Sequence, residues 1–186
     1  QKVVEPRNGD SHLTFIGAGM RNCVTYRTRP HSPVYFIELD GKSEALQRQR
    51  KTTVVAYDGM IGYRSQGDVL FASGSDNLTT EGKKILTSVA TELKKNEYPV
   101  VVVGHTDSDP IVRTAAEWPR GNLQLGAGRA LSVLEFLVSQ GIPEGRISLQ
   151  SYGAHMPVAT GSSAEAKKKN RRVEVMLKVT GEKSAN

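Results

Sequence analysis

A single cysteine, Cys23, rules out an internal disulfide. That leaves the compartment open, because many periplasmic domains also lack cysteines. The residues before it, Met20-Arg21-Asn22, are not the small apolar residues of a lipid-attachment site. Cys23 therefore reads as a plain core or surface residue. Long apolar runs are missing as well. The longest, Val100 to Val103, falls far short of the roughly 20 residues a membrane-spanning helix needs. Aromatics make up only 6% of the chain, so its basic residues lack the interleaved rings of a nucleic-acid binder. His12, His31, His105 and His155 form no metal-spaced pair, and the isolated His105-x-Asp107 is a weak metal signal. No serine or cysteine stands in an elbow-type nucleophile motif, and the glycines match no phosphate loop. The expectation is a chain with no catalytic residues, no metal and no cofactor. The sequence opens at Gln1 without an initiator Met or a signal peptide. It is expected to be a processed or truncated piece, its anchor or export signal removed.

What is present suits one core domain with room for an appendage: 186 residues, 38% of them hydrophobic and 24% charged. A net charge of +6 favours acidic partners. These include cell-wall carboxylates, anionic lipid headgroups and nucleic acid, and charge alone does not choose among them.

Residues 1–66 read as an accessory or connecting segment with short strands at Leu13 to Ile16, Val34 to Leu39 and Thr52 to Tyr57. Lys42 to Lys51 is charged and helix-compatible. From Asp68 the pattern sharpens. Val69-Leu70-Phe71 is a short strand candidate, and a helix is predicted to open near Thr80. Its apolar residues Ile85, Leu86, Val89, Ala90 and Leu93 keep the helical period. Val100 to Val103 is a β-branched run, as in a strand buried on both faces. Asn122 reads as an N-cap for a second helix with an apolar stripe of Ala130, Val133, Leu134, Leu137 and Val138. Gly141 and Pro143 end it. A strand follows at Arg146 to Ser151. Val173, Val175, Leu177 and Val179 alternate as a last strand with one face buried. This β-α-β-α-β-β order predicts an α/β fold, a two-layer α/β sandwich with helices on one face of a mixed sheet. The expected domains are a β-rich extension over 1–66, the sandwich over 67–181 and a tail over 182–186.

The loop after a parallel strand is a common ligand position in such folds. Asp107 sits there, and Arg129 lies about two turns into the following helix. Facing one cleft, the pair would complement a ligand that carries both an ammonium and a carboxylate. An ordinary Asp107–Arg129 salt bridge is the alternative. Gly126 and Gly128 point to close helix packing or to close approach of a ligand. Trp118 either packs on the domain or stacks on a sugar ring. Lys167 to Arg172 is the strongest basic cluster and reads chiefly as a solvated turn. Two other classes compete: a wall-acting enzyme using His105 and Asp107 as acid and base, and a basic adaptor working through Lys167 to Arg172.

Several separated motifs together resemble the OmpA-like peptidoglycan-binding domain. They are Val69-Leu70-Phe71-Ala72-Ser73-Gly74-Ser75, Gly104-His105-Thr106-Asp107, Asn122-x-x-Leu125-x-x-x-Arg129-Ala130 and Asn170-Arg171-Arg172-Val173-Glu174. The resemblance covers about residues 54 to 180 and looks nearest to the MotB-like flagellar stator branch. It rests there on Gly104 to Ile111 and the long loop before Asn122. It implies that Asp107 and Arg129 hold the diaminopimelate of the wall's stem peptide. It further implies that Thr106 belongs to the site, that Asn122 orders the loop and that Leu125 lines the cleft. Arg171 either contacts the wall or braces the site. The implied role is non-catalytic anchoring to peptidoglycan in the periplasm. A membrane anchor, membrane partner subunits and a homodimer belong to the wider expectation, and nucleic acid does not. A stator or an outer-membrane tether of the OmpA or Pal type would both use such a domain. Gly126 stands where the family usually has Ser, and Leu123 where the stator branch commonly has Trp.

Overall fold

The computed structural model describes residues 14–16, 23–27, 36–38, 52–57 and 59–178. Three short strands, β1 (Thr14–Ile16), β2 (Cys23–Arg27) and β3 (Phe36–Glu38), form an antiparallel sheet in that order. The helix-compatible stretch Lys42 to Lys51 and the tail after 181 lie outside the described residues.

A five-stranded mixed sheet dominates the rest. Its strands are β4 (Thr52–Tyr57), β5 (Met60–Gln66), β6 (Val100–His105), β7 (Ile147–Gly153) and β8 (Arg172–Lys178), in the order β4-β5-β8-β6-β7. β6 and β7 are parallel and the other pairs antiparallel. Two strands that precede residue 67 thus belong to this sheet. The helices are α1 (Gly67–Leu70), α2 (Thr80–Leu93), α3 (Asn122–Ser139) and α4 (Ala164–Asn170).

The expected strand at Val69-Leu70-Phe71 is instead a single helical turn. The Phe71 amide bonds the Gly67 carbonyl at 2.8 Å, which closes the turn, and only Phe71 bridges to Leu78. Leu70 and Phe71 are buried, so their hydrophobicity reflects the core rather than strand pairing. α2 opens at Thr80, as read, with Thr79 as its cap. The Thr79 hydroxyl accepts from the Gly82 amide at 2.9 Å and donates to the Val69 carbonyl at 2.7 Å. At α3 the cap is Gly121, at φ +66°, and Asn122 is the first helical residue. A left-handed φ favours glycine, so the side-chain cap expected of Asn122 is displaced and its amide is free for other work.

α2 and α3 pack on one sheet face. Ile85, Leu86, Val89, Ala90 and Leu93 meet Ala130, Val133 and Leu137 over Val100, Val102, Val173, Val175 and Leu177. Each large apolar side chain buried there contributes about 1.5–3 kcal/mol. The last strand departs from the expected one-sided burial. β8 lies between β5 and β6, and Arg172 through Leu177 are all buried. Strand alternation puts Arg172, Glu174 and Met176 on the face away from the helices. Arg146 closes the bottom of the fold rather than starting β7. Its guanidinium donates to the Leu93 and Tyr98 carbonyls and to Asn96 Oδ1, at 2.8, 2.7 and 2.7 Å. A cation there meets the carboxyl end of α2 and the loop that follows it.

Candidate binding cleft

β6 delivers its carboxyl end to the start of α3 through an unusually close approach. A Cβ on Gly104 would collide with the Gly126 carbonyl, and one on Gly126 with the Ser151 hydroxyl. A Cβ on Gly128 would come within 2.8 Å of the Trp118 ring. The helix glycines are therefore packing residues, and Trp118 packs on α3 rather than lying open as a stacking platform. The Trp118 indole N–H also donates to the Gly74 carbonyl at 2.9 Å, and the Thr114 hydroxyl donates to the same oxygen at 3.3 Å. The loop that precedes α3 is thereby pinned to the 72–76 turn.

Between these segments lies an open cleft of about 760 Å³. All six expected site residues, Thr106, Asp107, Asn122, Leu125, Arg129 and Arg171, line it. Asp107 and Arg129 do not form the simple salt bridge between them. Asp107 Oδ2 accepts from Arg171 at 2.6 Å, and its Oδ1 accepts from the Asp109 amide at 3.1 Å. Two carboxylate oxygens offer about four acceptor positions. Asp107 thus retains capacity for a ligand ammonium. Arg129 is nearly buried, with its Nε donating to the Ser75 carbonyl at 3.0 Å and its guanidinium 5.2 Å from the centre of the Phe71 ring. Among the described residues its two Nη groups make no hydrogen bond. Burial pulls its pKa below the usual arginine value, an effect opposed by Asp68. It stays cationic at neutral pH. The result is a desolvated guanidinium held by its stem, with the fork available to a carboxylate.

Arg171 acts as a brace. It grips Asp68 through Nε and Nη2, both at 2.7 Å, while Nη1 holds Asp107. The Asp68 hydrogen bonds, helped by Asp107, push its pKa up; the same bonds hold the Asp68 carboxyl below the ordinary range. Asn122 Nδ2 donates to the Asp109 carbonyl at 2.8 Å, and Lys167 pairs with Asp109 Oδ1 at 2.8 Å. Thr106 donates to the Asp107 carbonyl at 2.9 Å. Lys167 thus has a specific partner, where the sequence suggested chiefly a solvated turn. Asp68 escaped the sequence reading. It is 103 residues from Arg171, so no local spacing signals it.

His105 does not line the cleft. It shares the second sheet face with Val101 and Val103, opposite Arg172 in the β6–β8 register. An acid–base pairing of His105 with Asp107 at a ligand is therefore not supported by the geometry. The ring is buried, stacks on Tyr152 at 5.6 Å and leaves both nitrogens unpartnered among the described residues. Nearby, Glu174 accepts from Arg172 at 2.7 Å and from Arg64 at 2.8 Å. Burial opposes ionisation of Glu174, but the two arginines outweigh it and lower its pKa.

Burial, with a further push from the Arg172 cation, lowers the His105 pKa from 6.5 to about 4. Between those values the unfolded chain takes up a proton that the folded chain refuses. The stability owed to neutral His105 is complete above the unfolded value and is lost as pH falls toward the folded one. Stability is expected to drop by about 2 kcal/mol from pH 6.5 to pH 5. Urea midpoints across that range should show the slope in the wild type and a shallower one in His105→Gln. Equal slopes would assign the effect to another group.

Residues 70–171, more than half of the chain, match the OmpA family. The chain is 38% identical over 105 residues to the peptidoglycan-associated lipoprotein of Pseudomonas putida, covering 56% of this chain and 59% of that protein. It therefore spans less than two thirds of the length of this curated relative. Among solved structures, the cell wall anchor of the type VI secretion system (T6SS) from Pseudomonas aeruginosa superimposes with a TM-score of 0.67 at 30% identity, covering 73% of this chain and 92% of that one. The periplasmic domain of Helicobacter pylori MotB gives 0.65 at 25% identity, covering 73% and 83%. The chain belongs to the OmpA family.

Proposed function

We propose that this domain binds peptidoglycan without catalysis, gripping the zwitterionic end of diaminopimelate in the stem peptide and so anchoring an envelope protein to the wall. The observation that carries this reading is the unpaired fork of Arg129 beside an Asp107 that keeps acceptor capacity. The ligand carboxylate takes the fork and the ammonium takes Asp107. Thr106, Asn122 and Arg171 hold Asp107 and its loop in place, and Leu125 supplies apolar contact. The P. aeruginosa relative described as a cell wall anchor supports the same reading. The protein acts in the periplasm, tied to a membrane through sequence outside this chain, with a homodimer and membrane subunits as further partners.

Purified domain should cosediment with isolated sacculi, and free diaminopimelate-containing stem peptide should compete. Asp107→Ala should weaken binding by about 30-fold or more, the usual effect of removing one partner of a buried charge pair. Undiminished cosedimentation of this variant would refute the site, and release of soluble wall fragments would refute a purely binding role. A tether of the lipoprotein type is favoured by the 38% identity to the P. putida lipoprotein, and a motor stator by the MotB superposition. The full-length gene product separates them. A lipid-attachment cysteine marks the tether, and a membrane helix with a lone Asp marks the stator.

A further inference from the structure

The charges of the cleft do not cancel pairwise. Asp68 and Asp107 share Arg171, and Asp109 has Lys167. Arg129 and Arg113 also line the cleft, and among the described residues neither has a carboxylate partner or any hydrogen bond from its Nη groups. The wall-binding reading uses one of these two cations. It leaves Arg113 unassigned.

Arg113 is not on a loose loop. Its neighbour Thr114 is bonded to the Gly74 carbonyl, and the turn continues through amide bonds from Glu117 and Trp118 to the Thr114 carbonyl at 3.0 and 3.1 Å. The residues just before it, Pro110, Ile111 and Val112, line the same cleft, and Val112 is 76% exposed. An exposed apolar lip followed by an unpaired guanidinium suits a small apolar side chain that carries its own carboxylate.

Resting on the proposed wall-binding role, we infer that Pro110 to Arg113 form a second subsite for a small apolar residue with a free carboxylate, attached to the peptide-linked end of diaminopimelate, across its short methylene chain from the zwitterionic end. In a stem peptide that residue is the D-alanine after diaminopimelate. Cross-linking of a donor stem converts this carboxylate to an amide and removes its charge, so the subsite would distinguish the free acid from the amide.

Calorimetric titration of the intact chain with three synthetic ligands tests this. They are the tripeptide ending in diaminopimelate, the tetrapeptide ending in D-alanine, and that tetrapeptide with a C-terminal amide. The wild type should bind the tetrapeptide acid about fivefold more tightly than its amide, as for one partly exposed ion pair. The preference should shrink at high salt. Arg113→Gln should abolish the acid-over-amide preference and leave tripeptide affinity unchanged. Equal binding of acid and amide by the wild type, or a preference that survives in Arg113→Gln, would overturn the subsite and leave the diaminopimelate grip standing. Failure of all three ligands to bind would overturn the grip itself, and the subsite with it.

Discussion

An Arg129→Lys variant is expected to bind sacculi about 10- to 100-fold more weakly while it stays folded. Lysine keeps the charge but loses the planar fork, so a ligand carboxylate gives up one of two parallel charge-assisted hydrogen bonds. The loss is large because Arg129 is only 4% exposed, and water does little to screen the contact there. Lysine also has no Nε donor for the Ser75 carbonyl and no flat face for Phe71, so a small fall in stability accompanies the loss. The informative comparison is affinity against thermal midpoint. Weak binding with a near-wild-type melt assigns Arg129 to the ligand. Wild-type affinity would show that the fork does not meet a carboxylate.

Gly104→Ala is expected to destabilise the domain by more than about 3 kcal/mol, in the upper range for single substitutions. The new methyl would collide with the Gly126 carbonyl, which is backbone on a helix and has no rotamer to escape through. α3 would have to lift from β6, opening the contact between Ala130 and Val133 and the valines beneath them. Asp107 lies three residues beyond Gly104, and Arg129 three beyond Gly126, so the lift would also separate the two groups proposed to hold the ligand. Urea denaturation checks the first effect and sacculus binding the second. Gly145→Ala is the control, since a Cβ there meets nothing within 4 Å, and it should change stability by no more than about 0.5 kcal/mol. If Gly104→Ala unfolds with the wild type, the glycine contact does not set the helix position.

Much of this was legible in the chain. The 3.6-residue stripes of α2 and α3 and the valine run of β6 depend on local periodicity, and local periodicity is carried by residues close in sequence. That the six expected residues share one cleft was legible because they sit in motifs whose order is itself the signal. Errors arose where tertiary context overrode local pattern. Val69-Leu70-Phe71 has strand composition, yet a turn lets Leu70 and Phe71 reach the core. Val173, Val175 and Leu177 alternate like a half-exposed strand, yet β8 is central, and its charged residues are buried by pairing with one another and with Arg64.

Asp107 was always a strand-end carboxylate, and the sequence suffices to place it ahead of a helix that carries Arg129. Which cation Asp107 would take was a matter for the tertiary structure alone. Arg171 reaches it across 64 residues and Asp68 across 103, distances over which no spacing rule operates. By occupying Arg171, the two aspartates leave Arg129 without a carboxylate partner among the described residues. That unpaired fork, set by long-range packing rather than by any motif, is what the proposed ligand site rests on.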